Sequence, residues 1–202
     1  MPPVSRGFSP RRRPSAEVAA RLPPGQYLTP DFPVLAVGPT PRGAARDWRL
    51  RVWGAGAERG WSWEELLALP QETVTADIHC VTQWSKLGTT WTGVSLDVLL
   101  DGVPAPAATH AVAHCEGGYT TNLPLADLLG GRAWIAHRYE GEPLAPAHGG
   151  PARLLVPHLY FWKSAKWIRG LELLTDDRPG YWEVNGYHDR GDPWQEQRYQ
   201  GD

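Results

Sequence analysis

The chain contains several runs in which apolar and polar side chains alternate, which is the pattern of strands that bury one face. Residues 48–53 alternate and then meet Gly54, so they predict a strand that ends in a turn. Residues 73–81 form a second such run, and Cys80 occupies the last position of its apolar face. Residues 110–115, 133–139, 153–156 and 167–174 are further strand candidates.

Signals at helix ends predict three short helices. Ser62 followed by Glu65 has the spacing of a capping box, and Pro70 marks the end of the helix that begins there. Residues 95–100 predict a second helix. A third is expected over residues 124–129, with Pro124 in its first turn and two glycines directly after its end.

These elements amount to about six strands and three helices, without regular alternation between the two. The expected fold class is therefore α+β, a β-rich mixed single domain rather than a doubly wound sheet. Residues 1–30 are rich in Pro, Arg and Ser, and we expect an extended N-terminal arm there. Residues 31–202 are expected to form the folded domain, with an aromatic-rich tail from residue 175 that lies irregularly against it.

Composition and charge exclude several classes of protein. With 42% apolar and 21% charged residues, the chain is neither disordered nor a coiled coil. A net charge of −2 provides no basic field for nucleic acid or an anionic membrane. Three arginines at positions 11–13 suggest a twin-arginine signal, but no apolar region follows them. We therefore expect a cytoplasmic protein without a transmembrane segment, in which Cys80 and Cys115 are free thiols.

Each cysteine follows a histidine, in His79-Cys80 and His114-Cys115. Two histidines and two cysteines are a possible zinc ligand set, but neighbours on a strand point to opposite faces and do not easily hold one ion. Two alternatives stay open at this point. One is a cysteine–histidine or zinc hydrolase built on Cys80 and His114, and the other is a non-enzymatic binding module that uses some of the 11 tryptophans. We expect most tryptophans, and Cys115, to be core residues.

A more specific pattern follows Cys80 in chain order. Cys80 begins the segment C-V-T-Q-W-S-K, and T-W-T-G-V starts at Thr90. H-G-G-P-A-R runs from His148 to Arg153, and K-S-A-K-W starts at Lys163. Together these motifs resemble the molybdopterin-binding oxidoreductase domain of the sulfite oxidase family, over roughly residues 30–200.

Two parts of the pattern are similar to particular branches of that family. The C-V-x-x-W-S and W-T-G elements are similar to the catalytic subunit of the bacterial methionine sulfoxide reductase. The segment G-Y-H-D-R-G-D-P-W at residues 186–194 is similar to a small, uncharacterised group of bacterial sulfite oxidase-like proteins. The family's other pterin contacts, near residues 30–34 and 115–117, do not align residue by residue.

The resemblance implies a cofactor, Mo-molybdopterin, and roles for six residues. Cys80 would be the single protein ligand of molybdenum, since a soft thiolate suits a redox metal that is held by other sulfurs. The residues that match the family's cofactor-binding positions are His148, Arg153, Ser164, Ala165 and Lys166. Arg153 offers a planar fork of donors for phosphate or pterin, and the segment from Ser164 to Lys166 would contribute backbone N–H groups. Trp84 and Trp91 would line the pocket.

The implied activity is oxygen-atom transfer or a related two-electron reaction on a small substrate, such as a sulfoxide, an N-oxide or a sulfite-like anion. Sulfite is disfavoured, because the family's arginine shortly after the cysteine is absent and Lys86 is the cation nearest in sequence. The methionine sulfoxide reductase branch has an acidic residue where Thr82 stands. Neither a haem motif nor enough cysteines for an iron–sulfur cluster is present, so a separate electron-transfer protein is expected.

Overall fold

The structure, a computed structural model, describes residues 14–202 and contains eleven strands and five short α-helices in that range. The arginines at positions 11–13 and the first part of the predicted arm lie outside the described residues. The strands are β1 (Tyr27–Leu28), β2 (Arg49–Gly54), β3 (Ala57–Ser62), β4 (Glu72–His79), β5 (Trp84–Ser95), β6 (His110–Cys115), β7 (Thr120–Pro124), β8 (Trp134–Tyr139), β9 (Glu142–Pro143), β10 (Arg153–Leu155) and β11 (Ile168–Leu174). The helices are α1 (Ala16–Ala19), α2 (Trp63–Ala68), α3 (Leu96–Leu100), α4 (Leu125–Leu128) and α5 (Tyr181–Val184).

The first sheet is organised around the long strand β5. Strand β4 pairs with β5 along one edge, whereas β1 and β8 pair with opposite ends of its other edge. Strand β8 also pairs with β9 and β10. Strand β1 lies within the predicted N-terminal arm and runs parallel to β5. Because β4 ends at His79 and β5 begins at Trp84, a short turn at the end of this strand pair carries Cys80.

The second sheet has the strand order β3-β2-β11-β6-β7, with β11 parallel to β2 and antiparallel to β6. The main hydrophobic cluster joins the two sheets, since it contains Leu50 and Leu171 of the second sheet together with Ile135 and Leu154 of the first.

The first sheet is buried on both faces. On β10, Leu154 belongs to the main cluster, whereas its neighbour Leu155 belongs to a second cluster. Successive strand residues point to opposite faces, so the second cluster covers the far face of the first sheet. Cys80 and Trp84 belong to this second cluster, which places the turn between β4 and β5 against it.

The expected α+β, β-rich single-domain fold is confirmed. The predicted strand at residues 110–115 is β6 to the residue, and the capping box at Ser62 and Glu65 begins α2 as expected. Residues 95–100 form α3 with Ser95 as its N-cap. The third predicted helix is shorter than expected, because Pro124 precedes α4 as its N-cap residue instead of lying inside it.

The predicted number of strands was too low. Strand β5, with 12 residues, was missed, and so were β3 and β7. Strand β5 has buried or half-buried residues on both faces, so its sequence lacks the alternation that marks a one-sided strand. The tail from residue 175 contains α5 and a bridge between Tyr187 and Tyr199. No helix within residues 14–202 has the length and hydropathy that crossing a membrane requires.

Candidate active site

A cavity of about 310 Å³ opens beside the turn that follows β4. Its wall is built from residues within 32–37, the turn at 80–84, the loop at 161–167, and five single residues, Tyr119, His148, Arg153, Trp182 and Tyr187. All six residues that the sequence motifs single out lie on this wall: Cys80, His148, Arg153, Ser164, Ala165 and Lys166. Segments far apart in the sequence therefore meet around one hollow, which has the size of a small-molecule site.

Cys80 is held by the tight turn that connects β4 with β5. Its N–H donates to the carbonyl of Trp84 at 2.8 Å, and Gln83 N–H donates back to the carbonyl of Cys80 at 2.9 Å. The hydroxyl of Thr82 donates to Cys80 Sγ at 3.1 Å. Burial raises the pKa of the Cys80 thiol, against the opposing effect of the Thr82 hydrogen bond. A thiolate at this position therefore needs a positive partner, which a thiolate-ligated metal would provide.

Arg153 is a buried cation that has no carboxylate partner within residues 14–202. Its guanidinium donates to the carbonyls of His148, at 2.8 Å, and Ser164, and it lies 4.1 Å from the centroid of the Phe161 ring. Burial lowers the pKa of Arg153 to about 9. None of the ion pairs formed by residues 14–202 involves it. An anionic group in the cavity would supply the missing negative charge.

Lys166 and His148 complete the polar part of the wall. Lys166 Nζ donates to the carbonyl of Ala147 at 2.9 Å, and burial, together with the charge of Arg153, lowers the pKa of Lys166 to about 8. The imidazole of His148 stacks on Phe32 with ring centroids 3.9 Å apart. Burial and the same two cations lower the pKa of His148, which favours its neutral form.

Gly149 allows these side chains to approach one another. Its φ of +111° lies in a region that side-chain-bearing residues rarely adopt, and an added Cβ would lie 3.0 Å from Arg153 Cβ and 3.1 Å from Lys166 Cβ. The hydroxyl of Ser164 accepts from the N–H of Val156 at 2.8 Å, so its side chain anchors the loop.

The donors on the wall fit a group that has one soft-metal end and one anionic end. Cys80 supplies a soft sulfur, while Arg153 and Lys166 supply cations. The indole N–H of Trp84, another residue on the wall, is buried and has no hydrogen-bond partner among the described residues. This combination of donors suits a molybdenum bound to a phosphorylated pterin.

The structure also corrects expectations about residues near the site. Trp84 lines the cavity, but Trp91 does not: it is fully buried, its indole donates to Thr89, and it packs on Tyr139. A lysine is ordinarily exposed to solvent, but Lys163 is fully buried and pairs with Glu183. Lys86 donates to the carbonyl of Pro30 and is not part of the cavity wall.

Several residues of the cavity wall were not predicted by any sequence motif. They are Phe32, Pro33, Leu35, Ala36, Val37, Tyr119, Phe161, Trp162 and Trp182. Tyr187 also lies on the wall, and it belongs to the motif at residues 186–194. The density of aromatic residues in the tail was a usable signal for Trp182 and Tyr187. Residues 30–34 were expected to lie near the family's pterin contacts, but they could not be aligned residue by residue, and residues 35–37 had no signal of their own.

The residues of the hydrolase alternative do not share this cavity. His114 lies on β6, bonds to Glu172 at 2.8 Å and packs on Trp53, whereas Cys80 lies on the cavity wall. Within residues 14–202, no three side chains of His, Cys, Asp or Glu come together as a protein-only metal site requires. Cys115 is a buried free thiol, and burial raises its pKa to about 12.

Comparison with known proteins agrees with the geometry. A family model described as the oxidoreductase molybdopterin binding domain matches residues 37–182. The chain is 44% identical over 190 residues to the uncharacterized oxidoreductase YuiH of Bacillus subtilis (strain 168), which covers 93% of this chain and 96% of YuiH. It is 33% identical over 147 residues to the putative protein-methionine-sulfoxide reductase subunit YedZ1 of Azospira oryzae, which covers 71% of this chain and 55% of YedZ1.

The crystal structure of the sulfane dehydrogenase SoxCD from Paracoccus pantotrophus shares the fold, with a TM-score of 0.62 and 24% identity over 68% of this chain and 40% of that chain. The fold and the cavity thus define a molybdopterin-binding oxidoreductase domain. The chain belongs to the oxidoreductase molybdopterin-binding domain family, which includes sulfite oxidases, and the resemblance found in the sequence is confirmed.

Proposed function

We propose that this protein is a molybdenum-dependent oxidoreductase in which Cys80 binds the metal of Mo-molybdopterin. The cofactor's polar and anionic parts contact His148, Arg153 and the segment from Ser164 to Lys166. One observation carries the proposal: the thiol of Cys80 shares a cavity with Arg153, a buried cation that has no carboxylate partner among the described residues. When bound, the cofactor supplies two-electron redox chemistry, including oxygen-atom transfer.

The residues on the cavity wall bind the cofactor and set its orientation. Arg153 and Lys166 offset negative charge on the cofactor, and the neutral imidazole of His148 provides a directional hydrogen bond. The turn at Cys80 fixes the position of the sulfur, because both of its backbone hydrogen bonds close within the turn. Aromatic rings of Phe161, Trp162 and neighbouring wall residues exclude water from the rest of the cavity.

The substrate is a small molecule, a sulfoxide, an N-oxide or a sulfite-like anion, and the wall favours the uncharged members of this set. Its cations, Arg153 and Lys166, are assigned to the cofactor, and Lys86 is bonded to Pro30 elsewhere. The remaining wall near Cys80, including Val81, Thr82 and Trp84, offers no further charge to hold a dianion. YedZ1, named as a protein-methionine-sulfoxide reductase subunit, belongs to the same family and supports a sulfoxide.

A separate electron-transfer protein completes the reaction, and we propose that both act in the cytoplasm. The 202 residues contain two cysteines, fewer than the four thiolates that hold a [2Fe–2S] or [4Fe–4S] cluster, and Cys80 lies on the cavity wall whereas Cys115 does not. Cell fractionation with an antibody against this chain tests the compartment. Recovery in the periplasmic or membrane fraction would contradict it.

Metal analysis tests the proposed function directly. Protein purified from a host that makes molybdopterin should contain one molybdenum per chain, and Cys80→Ser should remove almost all of it, because a hydroxyl is a poor replacement for a thiolate. Cys115→Ser is the matched control, since Cys115 is equally buried but lies outside the cavity wall. Zinc in place of molybdenum, or full molybdenum content in Cys80→Ser, would refute the proposal. A reduced viologen dye assay with sulfoxides, N-oxides and sulfite then identifies the substrate.

A further inference from the structure

The turn that carries Cys80 is contacted on its outer side by both ends of the described chain. Tyr27 N–H, from β1, donates to the carbonyl of Gln83 at 2.8 Å. The amide Nε2 of Gln26 donates to the carbonyl of Cys80 itself at 3.1 Å. Residues before position 30 therefore contribute two hydrogen bonds to a turn that lies some fifty residues further along the chain.

Arg198, from the tail, contributes the third contact and connects all three segments. Its Nη1 donates to the carbonyl of Val81 at 3.0 Å, and its Nη2 donates to the carbonyl of Pro24 at 3.1 Å. The side chain is 12% exposed, and its guanidinium lies 5.1 Å from the centroid of the Tyr160 ring. One planar fork thus joins the tail, the cysteine turn and the N-terminal segment.

Arg198 packs closely against Gly25, whose backbone conformation favours glycine. Gly25 has a φ of +70°, and a Cβ there would lie 3.0 Å from Arg198 Nη2. Gln26 is fixed as well, since its Oε1 accepts from the hydroxyl of Ser85 at 3.2 Å, and the same hydroxyl bonds to His79 Nδ1 at 2.8 Å. These contacts leave the turn little freedom to rotate.

We propose that Arg198 is a positioning residue for the metal-binding sulfur: by joining Val81 to Pro24, it fixes the turn from which Cys80 reaches into the cavity. The inference rests on the proposed function insofar as Cys80 binds the metal. Val81 and Thr82 line the same cavity, and Thr82 bonds to the sulfur, so movement of the turn changes the orientation of the thiol. The geometry at the metal is then set partly by a side chain that does not line the cavity.

Amide hydrogen exchange tests the contact in cofactor-free protein. Arg198→Met should raise exchange about ten-fold in peptides covering residues 22–29 and 78–86, because two hydrogen bonds from a charged donor are lost. Arg198→Lys should behave similarly, since lysine keeps the charge but not the planar fork. Arg178→Met is the matched control: it is a tail arginine that pairs with Glu172 away from the turn, and its variant should exchange like the unmodified protein. Unchanged exchange in Arg198→Met, or full protection in Arg198→Lys, would overturn the proposal.

Electron paramagnetic resonance of the molybdenum-loaded protein distinguishes two roles of Arg198: orienting the Cys80 sulfur at the metal, or only anchoring the tail. Arg198→Met should shift the metal's g values relative to Arg178→Met, because the orientation of the thiolate changes. Faster exchange with unchanged g values would mean that Arg198 only anchors the tail, and the proposal would be wrong. Gln26→Leu, which leaves Arg198 in place, should show both effects and serves if Arg198→Met does not fold. If the unmodified protein binds no molybdenum, the proposed function fails, while the exchange data still decide whether Arg198 fixes the turn.

Discussion

Lys166, on the cavity wall, makes the free energy of unfolding depend on pH. Burial lowers its pKa from 10.5 to about 8, while the unfolded chain keeps the ordinary value. Between these pH values the unfolded state binds the proton more tightly, so this lysine makes the free energy of unfolding rise as the pH rises. We predict that Lys166→Met removes part of that rise in the cofactor-free protein, as measured by urea unfolding at pH 7.5 to 10.5.

The matched control is Lys86→Met, because Lys86 lies outside the cavity wall. Its variant should keep the slope of the unmodified protein. Burial also lowers the pKa of Arg153 and raises the pKa of both cysteines, so only the difference between the two variants isolates the effect of Lys166. Equal slopes in both variants would show that Lys166 keeps an ordinary affinity for its proton in the folded protein.

At the scale of elements, the capping box of α2 is the local structure that the sequence specifies most completely. Glu65 N–H donates to Ser62 Oγ at 3.1 Å, and Ser62 N–H donates to the Glu65 carboxylate at 2.7 Å. We predict that Ser62→Ala lowers the free energy of unfolding by about 1 kcal/mol, because the first turn loses an acceptor. Chemical denaturation measures the loss.

Ser15→Ala is the control for this prediction. Ser15 also accepts from a backbone N–H in the first turn of its helix, that of Val18, but α1 has no buried residue, so the loss of this cap should change global stability by less than about 0.5 kcal/mol. A cost at Ser15 equal to that at Ser62 would mean that the cap itself, and not its connection to the buried Leu66 of α2, determines the effect.

Strands and helices were predictable where the residues of the segment itself determine its structure. β6 contains a short apolar run, Ala111 to Ala113, and α2 has clear capping residues, so both were found from a few neighbouring positions. β5 was missed because it pairs on both edges and packs on both faces, which removes the periodic signal. Its residues Ser85, Lys86 and Gly88 suggest a loop when they are judged one at a time. Partners elsewhere in the chain make this segment a strand.

At the scale of the whole molecule, the cavity also combines residues that local motifs indicate with residues that distant segments contribute. The resemblance of the sequence motifs to a known family indicated Cys80 and Arg153. Sequence could not show that the segment from Phe32 to Val37 and the tail residue Trp182 close the same hollow, since these contacts exist only after folding. Buried charges are equally hard to foresee: Lys163 follows from no local pattern, because its partner Glu183 lies on another element.

The pair of Lys163 and Glu183 connects the tail to the second sheet. Lys163 Nζ lies 2.6 Å from Glu183 Oε1 and donates to the side chain and carbonyl of Asn122 on β7. Thr121 and Trp162 also donate to Glu183 Oε1. Since both charges are fully buried, each one depends on the other for compensation. Trp182, the chain neighbour of Glu183, and Tyr187 lie on the cavity wall, so we expect this network to hold the tail beside the cavity.

We predict that Lys163→Met lowers the free energy of unfolding by about 3–5 kcal/mol, because the Glu183 carboxylate is left buried without a counter-charge. Adding Glu183→Gln should recover part of that loss, since the neutral amide oxygen still accepts from Thr121 and Trp162. Urea unfolding of the unmodified protein, both single variants and the double variant forms a double-mutant cycle, which measures the coupling between the two residues. Arg51→Met is the control: its ion pair with Glu58 is exposed, so its removal should cost less than about 1 kcal/mol. If Lys163→Met costs no more than Arg51→Met, or if the two changes at 163 and 183 are additive, the buried pair does not anchor the tail, and the cavity wall is held by its aromatic packing alone.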